Sequence, residues 1–154
     1  MDLKYKSFLN ELNKKVKGLG ISLHEAKIDH IAYQTSSTIE YDKLKPQFEQ
    51  IASLIREPIV GGRRVGVFKF KVPISYNNQL IRAIELIEPK KDQSCQSGLE
   101  HAEYLLPISL EKFIKKYPNI NWNTEAINRE EFPMLVLKLS ENMQVKFPRF
   151  PVLG

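Results

Sequence analysis

The 154 residues are 42% hydrophobic, 27% charged and 10% aromatic, the length and composition of one globular domain able to bury roughly two thirds of its unfolded surface. No apolar run reaches the ~18 residues of a membrane span, the first residues lack a signal peptide's apolar core, and the single cysteine, Cys95, cannot close an internal disulfide; the expectation is a cytoplasmic protein with no membrane partner. The net charge of +5 is spread along the chain and interleaved with acids, which argues against a nucleic-acid partner and for small anionic ligands.

In chain order, Tyr5, Phe8, Leu9, Leu12 and Val16 fall at helical spacing, and Gly18 and Gly20 stop that helix. Residues 1–20 thus form an N-terminal helix, a lid or buttress for the rest of the chain. Residues 28–35 alternate as a strand, with His30, Ala32 and Gln34 on one face. Ser37 and Glu40 resemble a capping box, and Tyr41, Leu44, Phe48, Ile51, Leu54 and Ile55 continue as an amphipathic helix in which Pro46 predicts a kink or a late start. Gly61-Gly62 is a turn between short strands at 58–60 and 65–71. Residues 81–88 are the next strand, ended by Pro89, and 90–98 a polar loop.

The pattern then restarts. Leu99-Glu100-His101 stands in register with Ile28-Asp29-His30, followed in each copy by a Tyr three residues after the His. Strand 99–106 leads to a helix capped by Ser109 and stopped by Pro118, an irregular stretch or weak strand at 120–127, and a hairpin of 134–139 with 143–147. The order is a helix, then strand–helix–strand–strand–strand twice, with no linker between the halves. That is an α+β chain of two modules, 28–88 and 98–148, inside one domain spanning 1–154.

Strand alternation places His30, Glu85, His101 and Lys146 opposite apolar faces that need the two helices as cover. Their own faces then make a polar concavity that also holds Gln34, Glu103 and Gln144. Two neutral imidazoles and a carboxylate are a ligand set for a divalent metal with open positions, able to polarise substrate oxygens. The strand mirroring Glu85 carries Lys146 instead of a fourth ligand, a cation suited to a substrate carboxylate or phosphate. Ordinary structural roles compete with this: a strand histidine is commonly hydrogen-bonded in a core, and Glu85 has Arg63 or Lys146 as salt-bridge partners. The loop cysteine has no paired base, and no phosphate loop, CxxC pair or HExxH helix is present.

At Asp29-His30-Ile31, Gly62-Arg63 with Val67-Phe68-Lys69, Ile84-Glu85-Leu86, Gly98-Leu99-Glu100-His101 and Val145-Lys146-Phe147-Pro148, the sequence resembles the YecM family of the vicinal-oxygen-chelate superfamily, the group of glyoxalase I, extradiol dioxygenases, methylmalonyl-CoA epimerase and bleomycin-resistance proteins. The resemblance implies two βαβββ modules closing a cup-shaped mixed sheet with a metal inside. It implies metal ligands at His30, Glu85, His101 and the position of Lys146, where YecM-like sequences also carry Lys in place of the Glu of glyoxalases.

Two functional expectations lead, ahead of a third, a basic scaffold whose contact with nucleic acid would be steeply salt-dependent. In one, His30, Glu85 and His101 bind a divalent metal (Zn, Ni, Mn or Fe(II)). Glu103, its pKa raised by the cup, is the general base, and Lys146, Arg63 and Gln34 receive a small anionic substrate; isomerase, lyase and oxygenase chemistry all remain open. In the other, Lys146 pairs with Glu85 and the cup is a metal-free small-molecule-binding module. Both modules lie in one chain, so a monomer suffices, and a homodimer is the other arrangement known in the superfamily.

Overall fold

The computed structural model describes residues 1–154. Three helices pack on one face of an eight-stranded mixed sheet: α1 (Tyr5–Gly18), β1 (Lys27–Gln34), α2 (Thr38–Ile51), β2 (Ala52–Arg56), β3 (Ile59–Val60), β4 (Arg63–Tyr76), β5 (Gln79–Ile87), β6 (Gly98–Leu105), α3 (Leu110–Lys116), β7 (Met134–Ser140) and β8 (Met143–Pro148). No helix is long and apolar enough to cross a membrane.

The sheet runs β2-β4-β5-β1-β6-β8-β7, with β3 paired to β4. β1 and β6 lie antiparallel at its centre, and each is parallel to the last strand of its own module, β5 and β8. The two halves are therefore related by an approximate twofold through the β1–β6 seam. This is the α+β, cup-shaped arrangement expected, with one reduction. The counterpart of β2 in the second module shrinks to a single bridge between Asn123 and Val136.

Alternation along the strands builds two faces. Ile31, Ile84, Leu86, Ala102, Tyr104, Val145 and Phe147 point to the convex side, where with Leu9, Leu12, Val16, Phe48 and Phe113 they make the main core. α1 is thus a buttress and not a lid: Tyr104 and Tyr76 donate hydrogen bonds to its Asn13 (3.0 Å) and Asn10 (2.6 Å) on the side away from the cup. Both predicted caps form, Ser37 Oγ accepting from Glu40 N (3.0 Å) and Ser109 Oγ from Lys112 N (3.2 Å).

Two expectations about local structure are corrected. Residues 52–56 are a strand and not the end of α2. Ala52 is extended, and Ala52, Ser53 and Leu54 pair with Phe70, Lys69 and Phe68. Leu54 and Ile55 are accordingly 37% and 49% exposed, although helical spacing had placed them in the core. The strand starting near Val65 does not end at Lys71. It runs on to Tyr76, crossing Pro73 at a register shift between Lys69 and Ile74, then turns through Asn77 and Asn78, both at positive φ (47° and 64°), into β5. The irregularity spares Pro73 from donating to the ladder, and asparagine tolerates the left-handed turn.

Candidate metal centre

The cup's floor is set by two bulges. Along the β1–β6 seam Ile28 pairs with Tyr104 and His30 with Glu103, which leaves Asp29 as an extra residue; Ala32 pairs with His101 and Tyr33 with Leu99, which leaves Glu100 as its counterpart. An extra residue breaks the two-residue alternation. The acid before each histidine therefore reaches its own neighbour's ring. His30 Nδ1 is 2.7 Å from Asp29 Oδ2, and His101 Nδ1 is 3.4 Å from Glu100 Oε2. With Nδ1 engaged, both Nε2 atoms turn into the cup.

The carboxylates break the twofold. Ala32 of β1 lies opposite Glu85 of β5; its counterpart Glu103 of β6 lies opposite Lys146 of β8. The second module's acid has moved one strand inward, beside the seam. His30 Nε2 is 3.0 Å from both Glu85 Oε1 and Glu103 Oε2. His101 Nε2 is 3.5 and 3.2 Å from the same two oxygens. It meets neither in hydrogen-bond geometry and is a buried nitrogen without a partner. One donor atom from each of the four side chains lies within 4.8 Å of the others, and none of the four residues is more than 5% exposed.

Burial opposes charge on all four groups, and mutual attraction outweighs it. Glu103 and Glu85, with Asp29 behind, raise the pKa of His30 well above its usual value. His101 rises to about 9 against both burial and Lys146, through Glu100 and Glu103. Glu85 falls to about 2, and Glu103 well below the carboxylate range, under the influence of His30 and His101. The apolar cup therefore does not raise the pKa of Glu103, as a general base working near neutral pH requires. Two imidazoles beside it have the opposite effect.

A cavity of about 550 Å³ opens onto this cluster, reaching Glu85, His101 and Glu103 and bounded also by Arg63 and Lys146. His30 faces a second opening of about 330 Å³, behind Phe132 and Val152. Gln34 lines neither: its amide donates to the carbonyls of Thr35 (3.0 Å) and Ile87 (3.4 Å) at the end of β1. Lys146 forms no ion pair with Glu85, whose neighbours are the two histidines.

Three contributions escaped the sequence reading. Strand alternation assigned Asp29 and Glu100 to the far face, although an acid before the histidine in both copies was their visible trace. The irregular segment from Asn121 to Phe132 roofs the larger cavity, with nothing in its pattern to announce it. The tail enters the cup: Val152, 5% exposed, packs on Val67 and Ala83 and donates its N–H to Asp29 (3.0 Å), while Arg56 holds its carbonyl (2.8 Å).

Residues 1–149 match the family model described as YecM protein. The chain belongs to the YecM family. It is 26% identical over 100 residues to Protein YecM of Escherichia coli (strain K12), a match covering 65% of this chain and 53% of that protein, so it spans about half the length of that relative. In three dimensions it is similar to the solved structure "Structural Genomics, Protein EC4020", with a TM-score of 0.76 at 22% identity over 96% of this chain and 84% of that one. It is also similar to methylmalonyl-CoA epimerase of Streptomyces coelicolor in complex with 2-nitronate-propionyl-CoA, with a TM-score of 0.55 at 11% identity over 79% and 95%. At these identities the likeness establishes the shared vicinal-oxygen-chelate fold, and YecM membership agrees with the motifs from Asp29 to Pro148.

Proposed function

We propose that this YecM protein is a divalent-metal-dependent enzyme of the vicinal-oxygen-chelate type, acting on a small anionic, oxygen-bearing substrate. The observation that carries the reading is the buried quartet of His30, Glu85, His101 and Glu103 beneath an open cavity. The donor set fits a metal in chemistry, and its four His–Glu separations are close to ligand spacing. Two nitrogens and two carboxylates suit Zn, Ni, Mn or Fe(II). Metal–ligand bonds of about 2.1 Å place adjacent ligand atoms about 3.0–3.4 Å apart, and the donors facing one another stand at 3.0–3.5 Å. The partnerless Nε2 of His101 is the atom a metal would engage.

In this reading Glu103 is the fourth ligand in place of Lys146, and its lowered pKa agrees with that role better than with general base catalysis. A bound metal supplies Lewis acidity toward substrate oxygens. Asp29 and Glu100 orient the imidazoles. Lys146, opposite Glu103, would hold an anionic oxygen of the substrate. Arg63 receives a more distant anionic group. Every contributor comes from one chain, so a monomer suffices.

The metal-free binding module has one observation in its favour: the histidines and carboxylates already form a self-compensating ion-pair cluster. Elemental analysis of protein purified without chelator or a metal-binding tag separates the readings. The enzyme reading expects about one metal per chain, lost in His101→Ala. Metal-free protein with no gain in melting temperature from Zn, Ni, Mn or Fe(II) would overturn it.

A further inference from the structure

The larger cavity carries far more positive charge than a metal-chelating substrate needs at its reacting end. Arg63, Lys90, Arg129, Lys138 and Lys146 all line it; once Glu85 and Glu103 are committed to the cluster, Glu125 is the one other acid in the lining, and Glu100, already engaged with His101, is the acid that acts on Arg63 and Lys146 from outside it. None of the five is ion-paired; the ion pairs of lysine and arginine are made by Lys15, Lys45, Arg64 and Arg149. Lys138 and Lys146 are diagonal neighbours on one face, since Lys138 pairs with Gln144 and Val136 with Lys146. Diagonal neighbours are within reach of long side chains, so the two ammonium groups can face one anion together. Arg63 is half-buried, and its Nε is a buried donor without a partner. Leaving such a donor unsatisfied costs free energy that an anionic acceptor recovers.

Four of these cations fall at two places. Lys146 is directly opposite Glu103, at the quartet. Arg63 begins β4 just after the Gly61-Gly62 turn, and Lys90 folds over that turn, its Cε 3.1 Å from where a Cβ on residue 61 would stand. Arg129 lies in the roof, two of its donors held by the carbonyls of Glu131 (2.7 Å) and Phe132 (2.8 Å), which fixes the guanidinium without neutralising it. Building on the metal-centre reading, we propose that the substrate is a phosphate-bearing small molecule with two anionic ends. One presents chelating oxygens to the quartet beside Lys146, and the other places its phosphate against Arg63 and Lys90 with Arg129 above. A phosphate dianion satisfies the fork of Arg63 and offsets several cations at one point, which a single carboxylate cannot do.

The test is calorimetric titration with glycerate, malate and phosphoglycerate (phosphate on the terminal carbon), using protein reconstituted with one equivalent of Mn(II) and chelator-treated protein in parallel. Phosphoglycerate is expected to bind about tenfold tighter than glycerate and clearly tighter than malate. That advantage should disappear in the double variant Arg63→Gln/Lys90→Gln and shrink in Lys90→Gln/Arg129→Gln, whose positions are exposed. Equal binding of glycerate and phosphoglycerate, an equal gain from malate's second carboxylate, or an advantage surviving Arg63→Gln/Lys90→Gln would overturn the proposal. Failure of the metal centre looks different: a phosphate advantage intact, with identical titrations in the two preparations, supports the phosphate site while removing the metal.

Discussion

The two modules share a plan and differ in where they keep their acid. Each offers a histidine on its first strand, an acid bulged out just before it, and a last strand running parallel alongside. Module 1 keeps its carboxylate on that last strand, as Glu85, with Ala32 across from it. Module 2 carries it on the first strand, as Glu103, and has Lys146 on the last. A quartet survives because side chains directly opposite on neighbouring strands approach the same point from either side. The exchange leaves module 2 with a free cation beside the quartet, where a symmetrical cup would have a further ligand. The difference teaches that a departure from a family's ligand pattern at one position is interpretable only with its cross-strand partner in view.

That comparison is broken most severely by moving the acid back. Glu103→Ala is expected to weaken Zn or Mn(II) binding by about ten- to a hundredfold, and His101→Ala to abolish it, in competition titration against a chromophoric chelator. Adding Lys146→Glu to Glu103→Ala rebuilds module 1's arrangement in module 2 and should recover most of the affinity. If the double variant binds no better than Glu103→Ala alone, the two positions are not interchangeable and the proposed exchange is wrong.

The bulged acids give a subtler comparison. Asp29 holds its imidazole at 2.7 Å, while Glu100 stands 3.4 Å from its own. Asp29 also accepts the N–H of Val152, so it joins the tail to His30. Asp29→Asn should therefore cost about tenfold or more in metal affinity, and Glu100→Gln less. The reverse order would show that contact length does not set the two rings' orientation.

How much of the molecule was legible depends on which signals are local. The repeated acid–His pattern and the alternation of 81–88 and 99–106 located His30, His101, Glu85 and Glu103 on one face, because a strand's period of two is a property of the sequence itself. Gln34 was placed on that same face correctly, but it lies at the strand's end, where the carbonyls of Thr35 and Ile87 take up its amide. The bulges at Asp29 and Glu100 arise from pairing between distant strands, and their one local trace is the acid that precedes the histidine in both copies. Distant pairing also makes β2, whose Leu54 and Ile55 fit helical and extended patterns alike until β4 supplies a partner. The roof at 121–132 and Val152 act through long-range packing alone.

The protonation of the quartet offers a smaller and directional test. Without metal, both histidines have raised pKa values, that of His101 about 9 against an ordinary 6.5. A raised folded-state pKa means the protonated form contributes stability that is fully present below the unfolded value and lost as pH rises through the folded one. Chelator-treated protein should therefore melt progressively lower as pH goes from 6.5 through about 9. Metal requires neutral imidazoles, so added Zn should stabilise more at the top of that range than at the bottom. Melting curves with and without Zn across this interval check both slopes, and parallel curves would argue against metal at these histidines.

The helix caps set the modules against each other at the smallest scale. Ser37 opens the fourteen-residue α2, and Ser109 the seven-residue α3. Behind Ser37, Glu40 accepts from Ser36 N (2.8 Å) and from Ser97 Oγ (2.7 Å), tying the start of α2 to the loop before β6. Ser109 has a single contact of 3.2 Å. Removing a serine cap costs about 1 kcal/mol, so Ser37→Ala and Ser109→Ala should both lower stability in urea by about that amount. Ser37→Ala should be the worse, because the loss spreads to the bonds that Glu40 holds in place. Adding Glu40→Gln to each separates the effects: it should add little once Ser37 is gone and its full cost beside Ser109→Ala. Strict additivity in both backgrounds would mean that α2's start and the seam between the modules are energetically independent.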